Sequence, residues 1–171
     1  MSRPPRAELK PVADLVSANY PLAARDLINP ILELLRLSRL CTGDIESFLI
    51  ILVIAVRVAE DPRFRSSTVA QLVEHEDLPS RGTNIRSIAA SLDMPRETVR
   101  RKVAELIEAG WVVRREDGLT LSTQVFTDMA QLKRCIEELA ARNYFTVTQL
   151  LERERAGPSD RPAEDRTLPG L

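Results

Sequence analysis

Aromatic residues are nearly missing from this sequence: one Trp, two Tyr and four Phe make up 4% of 171 residues. A chain of this length buries a real core. At 44% hydrophobic content that core is built mainly from Leu, Ile, Val and Ala, which favours an α-rich architecture. Histidine is reduced to His75, between Glu74 and Glu76. A lone histidine among acids reads as a surface residue rather than a metal ligand. The two cysteines, Cys41 and Cys135, lie far apart with no CxxC spacing. They read as reduced thiols of a cytoplasmic protein, with a redox switch as the alternative. The apolar run Phe48–Val56 stops at nine residues, well short of the ~20 that span a bilayer, so no membrane partner is expected. Met1–Pro11 is polar and proline-bearing, and no signal peptide is expected. No nucleophile–base pair, metal cluster or phosphate-cradling glycine loop is visible, so no catalytic, cofactor-binding or metal-ligating residue is nominated and an enzyme is the least supported class.

What is present is uneven. Net charge is −1 over the chain, yet residues 81–115 hold eight basic side chains (Arg81, Arg86, Arg96, Arg100, Arg101, Lys102, Arg114, Arg115) against four acidic ones (Asp93, Glu97, Glu105, Glu108). A local excess of positive charge is the asymmetry expected where one face meets phosphate.

That segment also carries the clearest local pattern. Ile85, Ile88, Ala89 and Leu92 fall at i, i+3, i+4 and i+7, one face of a short helix opened by Thr83 or Asn84. Asp93 or Met94 closes it, and a second helix starts near Pro95, which suits a first helical position and no interior one. It runs to Gly110, a C-terminal stop. Val99, Val103, Leu106 and Ile107 make its inner stripe, while Glu97, Thr98, Arg101 and Glu105 point outward. Trp111–Leu121 then reads as two β-prone runs around Asp117-Gly118, a hairpin signal. Helix, turn, helix and hairpin together read as a winged helix-turn-helix.

The outward residues suit duplex DNA. Arg bonds bidentately to guanine O6 and N7, Glu accepts from cytosine N4, and Thr meets a thymine methyl or a phosphate. In this motif the first turn of the second helix enters the major groove. Arg96, Glu97, Thr98, Arg100 and Arg101 occupy that turn or the next, and Arg114 and Arg115 are placed where a wing touches the phosphate backbone. The bland reading is an ordinary surface helix in which Glu97 pairs with Arg101, beside a hairpin edge that charges protect from strand addition.

The run Arg96-Glu97-Thr98-Val99-Arg100-Arg101 resembles the recognition helix of the Crp/Fnr family of bacterial transcription regulators, whose pattern is Arg-Glu-Thr-Val-x-Arg. The resemblance implies that Arg96, Glu97 and Arg101 read bases and that Thr98 supports them. The phrase Ala104–Val113, which carries the helix into the wing, is equally similar to the MarR and GntR groups. The likeness covers about 40 residues and is specific for fold more than for subfamily. Crp/Fnr proteins carry a β-roll sensor before the winged helix, and the segment here is too short and too helical for one. The mode of DNA contact is carried over; the ligand is not.

The flanks complete the expectation. Residues 1–20 read as a flexible arm, with helical character around Val12–Ala18, and 21–43 as an N-terminal helical segment in which Asn29-Pro30 starts a helix. Residues 44–122 form the winged domain. Asp44 caps its first helix, in which Phe48–Val56 is buried all round; a buried strand is the alternative. The stretch 63–82 reads as an insertion, with Ser67 capping a helix over Thr68–His75. Val125, Met129, Leu132, Ile136, Leu139, Asn143, Thr146 and Leu150 recur at spacings of four and three, which predicts a long helix over 123–155. Its seam serves either a homodimer, with Asn143 fixing register, or packing against Asn29–Leu40. Residues 156–171 read as a disordered tail.

The expected protein is mainly α with a small β-hairpin: a winged helix-turn-helix domain flanked by N- and C-terminal dimerisation helices. The expected function is a cytoplasmic, homodimeric, sequence-specific transcription regulator of double-stranded DNA, with room for a small-molecule effector of unspecified chemistry. The rival is a winged-helix assembly module that reads no DNA sequence.

Overall fold

The computed structural model describes residues 6–75 and 77–156. Nearly all of the expected tail, 157–171, and the first five residues of the expected arm lie outside the described residues. Among those described, the chain is mainly helical with one two-stranded antiparallel hairpin, and the described residues divide into two compact units, one within 32–136 and one made of 6–31 with 137–156.

The elements in order are α1 (Arg6–Ala18), α2 (Tyr20–Thr42), α3 (Ile45–Glu60), α4 (Pro62–Ser66), α5 (Val69–Val73), α6 (Ile85–Leu92), α7 (Arg96–Glu108), β1 (Val112–Arg115), β2 (Gly118–Leu121), α8 (Val125–Asp128) and α9 (Ala130–Ala156). No described helix is long and apolar enough to cross a membrane.

In the larger unit α3 is the centre. Asp44 caps it, its carboxylate accepting the Ser47 amide at 2.8 Å. Phe48, Ile50, Ile51, Ile54 and Val58 are buried, and α3 packs against α4, α6, α7 and β2. The expected central helix is therefore present, and the strand alternative is not taken. It is not buried all round, since Leu49 and Val56 remain 37% and 56% exposed. The neighbouring elements enclose its other sides and leave that strip wet. Ile88, Val99, Val103, Leu106, Val112 and Leu119 complete the core from α6, α7 and the hairpin.

The stretch expected to be an insertion is part of this fold. Asp61 caps α4, with Pro62 in its first turn. Thr68, rather than Ser67, caps α5 through a reciprocal capping box with Gln71. The chain then runs extended along the free edge of β2. The Leu78 amide donates to the Leu121 carbonyl at 2.8 Å, and Thr83 and Leu119 exchange two backbone bonds at 3.1 and 2.7 Å. A single sheet edge left open would attract other strands; residues 77–83 cover it.

Two helical expectations are corrected. Residues 6–18 of the expected arm form α1, and Leu15 is buried with Ala23 and Leu150. The helix expected to start at Asn29-Pro30 begins instead at Tyr20, with Pro21 in its first turn and Pro30 inside it. Pro30 is buried, and Ala23, Leu27, Pro30, Leu34, Leu37 and Cys41 are the inward side of α2 at spacings of four and three. Burial along this stripe outweighs the hydrogen bond that a proline forgoes.

The single long helix expected over 123–155 is instead two, α8 and α9, broken at Met129, whose φ of −110° and ψ of 24° are not helical; the expected seam is buried within the chain at Val125, Met129, Leu132, Thr146 and Leu150, with Leu139 and Asn143 half-buried. It slips at one place. Ile136 is 41% exposed and Cys135 takes the buried position, because 3.6 residues per turn drift against a seven-residue repeat.

Candidate nucleic-acid interface

Asn84 opens α6, its side-chain oxygen accepting the Ser87 amide at 2.9 Å. The helix ends at Asp93, the one described non-glycine residue in the left-handed region, at φ 53°. Asp tolerates that conformation better than most residues. Pro95 stands at the N-cap of α7 without a side-chain cap bond. The Met94 amide reaches back to the Ala89 carbonyl at 3.0 Å, closing the turn between the two helices.

On α7, Val99, Val103 and Leu106 are buried and Ile107 is half-buried. Arg96, Glu97, Arg100 and Arg101 are exposed, and Thr98 is half-buried. Arg100 clasps Glu97 bidentately, at 2.9 Å through Nε and 2.5 Å through Nη2. That hydrogen bond is the main cause holding the Glu97 carboxyl below its ordinary pKa and raising that of Arg100. Glu97 is thus an ionised acceptor at neutral pH. Its partner is Arg100 at i+3, not Arg101 at i+4 as the bland reading had it. Arg101 lies 3.5 Å from Glu105. Arg96 has no ion-pair partner among the described residues.

Lys102, counted with the basic residues, belongs to the interior. It is 9% exposed, and its Nζ donates to Asp44 Oδ2 at 2.6 Å. The sequence contains the signal: Lys102 stands between Val99 and Val103 on the rim of the inner stripe.

The hairpin follows α7 and packs against it. Arg115 pairs with Gly118, so the turn is Glu116-Asp117 rather than Asp117-Gly118. Gly118 has φ 133°, and a Cβ there would collide with the Thr83 backbone; Gly82 faces the Asp117 backbone in the same way. The tip of the hairpin is therefore locked to the 77–83 segment. Arg114 and Arg115 are both exposed, and Arg115 Nε bonds Asp77 Oδ2. Asp77 was not singled out from sequence, because it lies 38 residues away from its partner.

His75 is exposed; Cys41 is half-buried and Cys135 buried, and they form no disulfide with each other. No group of three or more His, Cys, Asp or Glu able to hold a metal occurs among the described residues. Comparison with protein-family models, curated proteins and solved structures finds no match.

Proposed function

We propose that this chain is a winged helix-turn-helix transcription regulator in which α7 reads the major groove of duplex DNA and the β1–β2 hairpin rests on the phosphate backbone. The observation that carries the reading is the division of α7: Val99, Val103 and Leu106 face the core while Arg96, Glu97, Arg100 and Arg101 stand in solvent beyond a tight two-helix turn. The extended segment 77–83, bonded along β2, supports the same reading, since it buttresses the hairpin. Arg96 and Arg101 are assigned to base edges, Glu97 to a base acceptor role, Thr98 to a supporting contact, and Arg100, Arg114 and Arg115 to phosphate. Exposed pairs such as Arg101 with Glu105 contribute little in water, so they open readily for a phosphate or a base.

The same pairs favour a second reading. A face whose arginines are matched by Glu97 and Glu105 on their own helix is partly neutralised, as suits an assembly module that reads no DNA. Selection of bound duplexes from a random pool separates the two. A reproducible consensus, lost when Arg96 and Arg101 are replaced by Glu, supports the regulator; enrichment of no sequence overturns it.

A further inference from the structure

We infer that a cavity at the start of α6 binds the terminal phosphate of a small phosphomonoester. The cavity measures about 250 Å³ between the last turn of α3 and the first turn of α6, and Arg57, Arg81, Thr83, Asn84 and Ser87 line it together with Glu60. Thr83 is the residue that points to a ligand. It is 6% exposed, and its amide and carbonyl are both fixed by Leu119, at 3.1 and 2.7 Å. Its hydroxyl makes no hydrogen bond among the described residues. Among the described residues that are not exposed, the one polar side-chain atom both sealed from solvent and unbonded is Asn143 Oδ1; the Thr83 hydroxyl is therefore open, onto the cavity that the residue lines. A buried hydroxyl without a partner is destabilising, and a ligand oxygen supplies the partner.

The surrounding groups add donors and positive charge. Asn84 accepts the Ser87 amide at 2.9 Å, which leaves the Ile85 and Arg86 amides of the first turn without an intrahelical partner and the positive end of the helix at the cavity. The Arg81 guanidinium is exposed and has neither a hydrogen bond nor an ion pair among the described residues. Asp61, the acid on which its charge acts, is held instead by Arg63 at 3.1 and 3.0 Å. Arg57 bonds Glu60 through Nη1 at 2.9 Å. The side chains of that pair are 46% and 57% exposed, and such pairs contribute little in water, so Arg57 is able to turn its remaining N–H groups to a stronger anion. Two guanidiniums against one carboxylate leave the cavity positive.

The ligand class follows from depth and charge. A phosphomonoester carries three free oxygens and roughly −1.5 to −2 charge at neutral pH, so it enters a recess and meets a hydroxyl, two guanidiniums and the helix amides together. A phosphodiester of a nucleic-acid backbone has two free oxygens and a sugar on either side, which hold it away from a hydroxyl set back from the surface. The cavity is smaller than the ~300–1,000 Å³ of ordinary ligand pockets; the phosphate is enclosed and the remainder of the molecule lies outside. The inference is independent of the DNA reading, since none of these residues is among those assigned to DNA, and a chain that ignored DNA would keep this site.

The test is titration of the full chain with methyl phosphate, followed by phosphorus NMR at pH 8 and low ionic strength, with dimethyl phosphate as the diester counterpart. Wild type is expected to saturate with one methyl phosphate per chain and to bind dimethyl phosphate at least about tenfold more weakly. Thr83→Val, which keeps the shape and removes the hydroxyl, is expected to weaken methyl phosphate binding by about tenfold or more, and Arg81→Gln by a similar factor, as loss of one charged hydrogen bond implies. Arg39→Gln, a control at an exposed residue of α2, is expected to bind as wild type does. Should Thr83→Val fail to fold, Arg81→Gln decides. No saturable binding of methyl phosphate, unchanged affinity in Arg81→Gln or in a folded Thr83→Val, or an equal loss in Arg39→Gln overturns the site. Dimethyl phosphate bound as tightly as methyl phosphate overturns the monoester and assigns the cavity to a nucleic-acid backbone.

Discussion

Lys102 Nζ sits 2.6 Å from Asp44 Oδ2, joining the outward-bearing helix α7 to the residue that caps α3, 58 positions earlier. Asp44 accepts from the Ser47 amide and hydroxyl as well, at 2.8 and 3.0 Å. One carboxylate thereby starts the central helix and anchors the helix packed against it. Lys102 is also 3.7 Å from Glu105, whose other oxygen is the one near Arg101. The angle at which α7 presents Arg96 and Arg101 depends on this anchor.

Replacing Lys102 by Met is expected to destabilise the chain by about 1–2 kcal/mol, the lower range for losing one partner because the Asp44 side chain is 37% exposed. The pair has a pH signature. Burial raises the Asp44 pKa, but the bonds from Lys102 and Ser47 outweigh it, and the carboxyl titrates below its ordinary 3.8. Lys102 titrates above its ordinary 10.5, chiefly through the bond to Asp44. The stabilisation is therefore present above pH 3.8 and lost as pH falls through the lowered Asp44 value; at the other end it is present below 10.5 and lost as pH rises through the raised Lys102 value. Thermal unfolding of wild type, Lys102→Met, Asp44→Asn and the double variant measures it. Strict additivity of the two single changes at neutral pH would show that no coupling exists.

Under the proposed DNA reading, Arg101→Ala is expected to relax base preference at one position of the bound site, at a cost of ~1–3 kcal/mol against the preferred base. A selection in which this variant keeps the wild-type consensus removes Arg101 from the base readers.

Arg115 and Asp77 form a pair, and under the proposed DNA reading its two halves act in opposite directions on affinity. Arg115→Ala should weaken all duplexes alike and flatten the salt dependence by about one unit of slope, whereas Asp77→Asn removes a carboxylate charge beside the guanidinium and should tighten binding uniformly. Titrations at several salt concentrations check both. Equal slopes in all three proteins would place Arg115 away from phosphate.

Gly118→Ala is expected to cost about 1–3 kcal/mol, because φ 133° is strained for any side chain and the new Cβ meets the Thr83 backbone. Gly43→Ala, where φ is 80° with nothing within 4 Å of the new atom, should cost less. Chemical denaturation of both variants ranks them, and the reverse order would refute the backbone contact.

Ile54 is fully buried in α3, and Ile54→Ala is expected to cost about 2–5 kcal/mol from lost burial and the cavity left behind. A loss below 1 kcal/mol, read from the same unfolding curves with roughly the precision such extrapolations allow, would mean that α3 is not the centre of the unit.

Much of the candidate site was legible because its determinants are local. Asn84 as cap, Asp93 and Pro95 around the turn, the inner stripe Val99-Val103-Leu106 and the exposure of Arg96, Glu97, Arg100 and Arg101 each depend on a few neighbouring residues and on the 3.6-residue period. Asp44 at the head of α3 and the stop at Asp61-Pro62 are of the same kind. Such signals act through hydrogen bonds and torsions within one or two turns, and they survive whatever the remainder of the molecule does.

The rest was decided by distance in the sequence. Whether Lys102 faces outward or inward depends on Asp44, whether Arg115 bonds across to the 77–83 segment depends on Asp77, and whether residues 63–82 are an insertion or a sheet edge depends on the backbone of Leu119 and Leu121. Pro30 reads as a helix start until burial on the inner stripe of α2 draws it into the interior, and Cys135 replaces Ile136 because the drift of the helix, not the apolarity of the residue, selects which side chain is covered. The amino-acid order alone settles what each short segment prefers; the assembled core settles which preference is kept, because burial of many side chains together outweighs any single local rule.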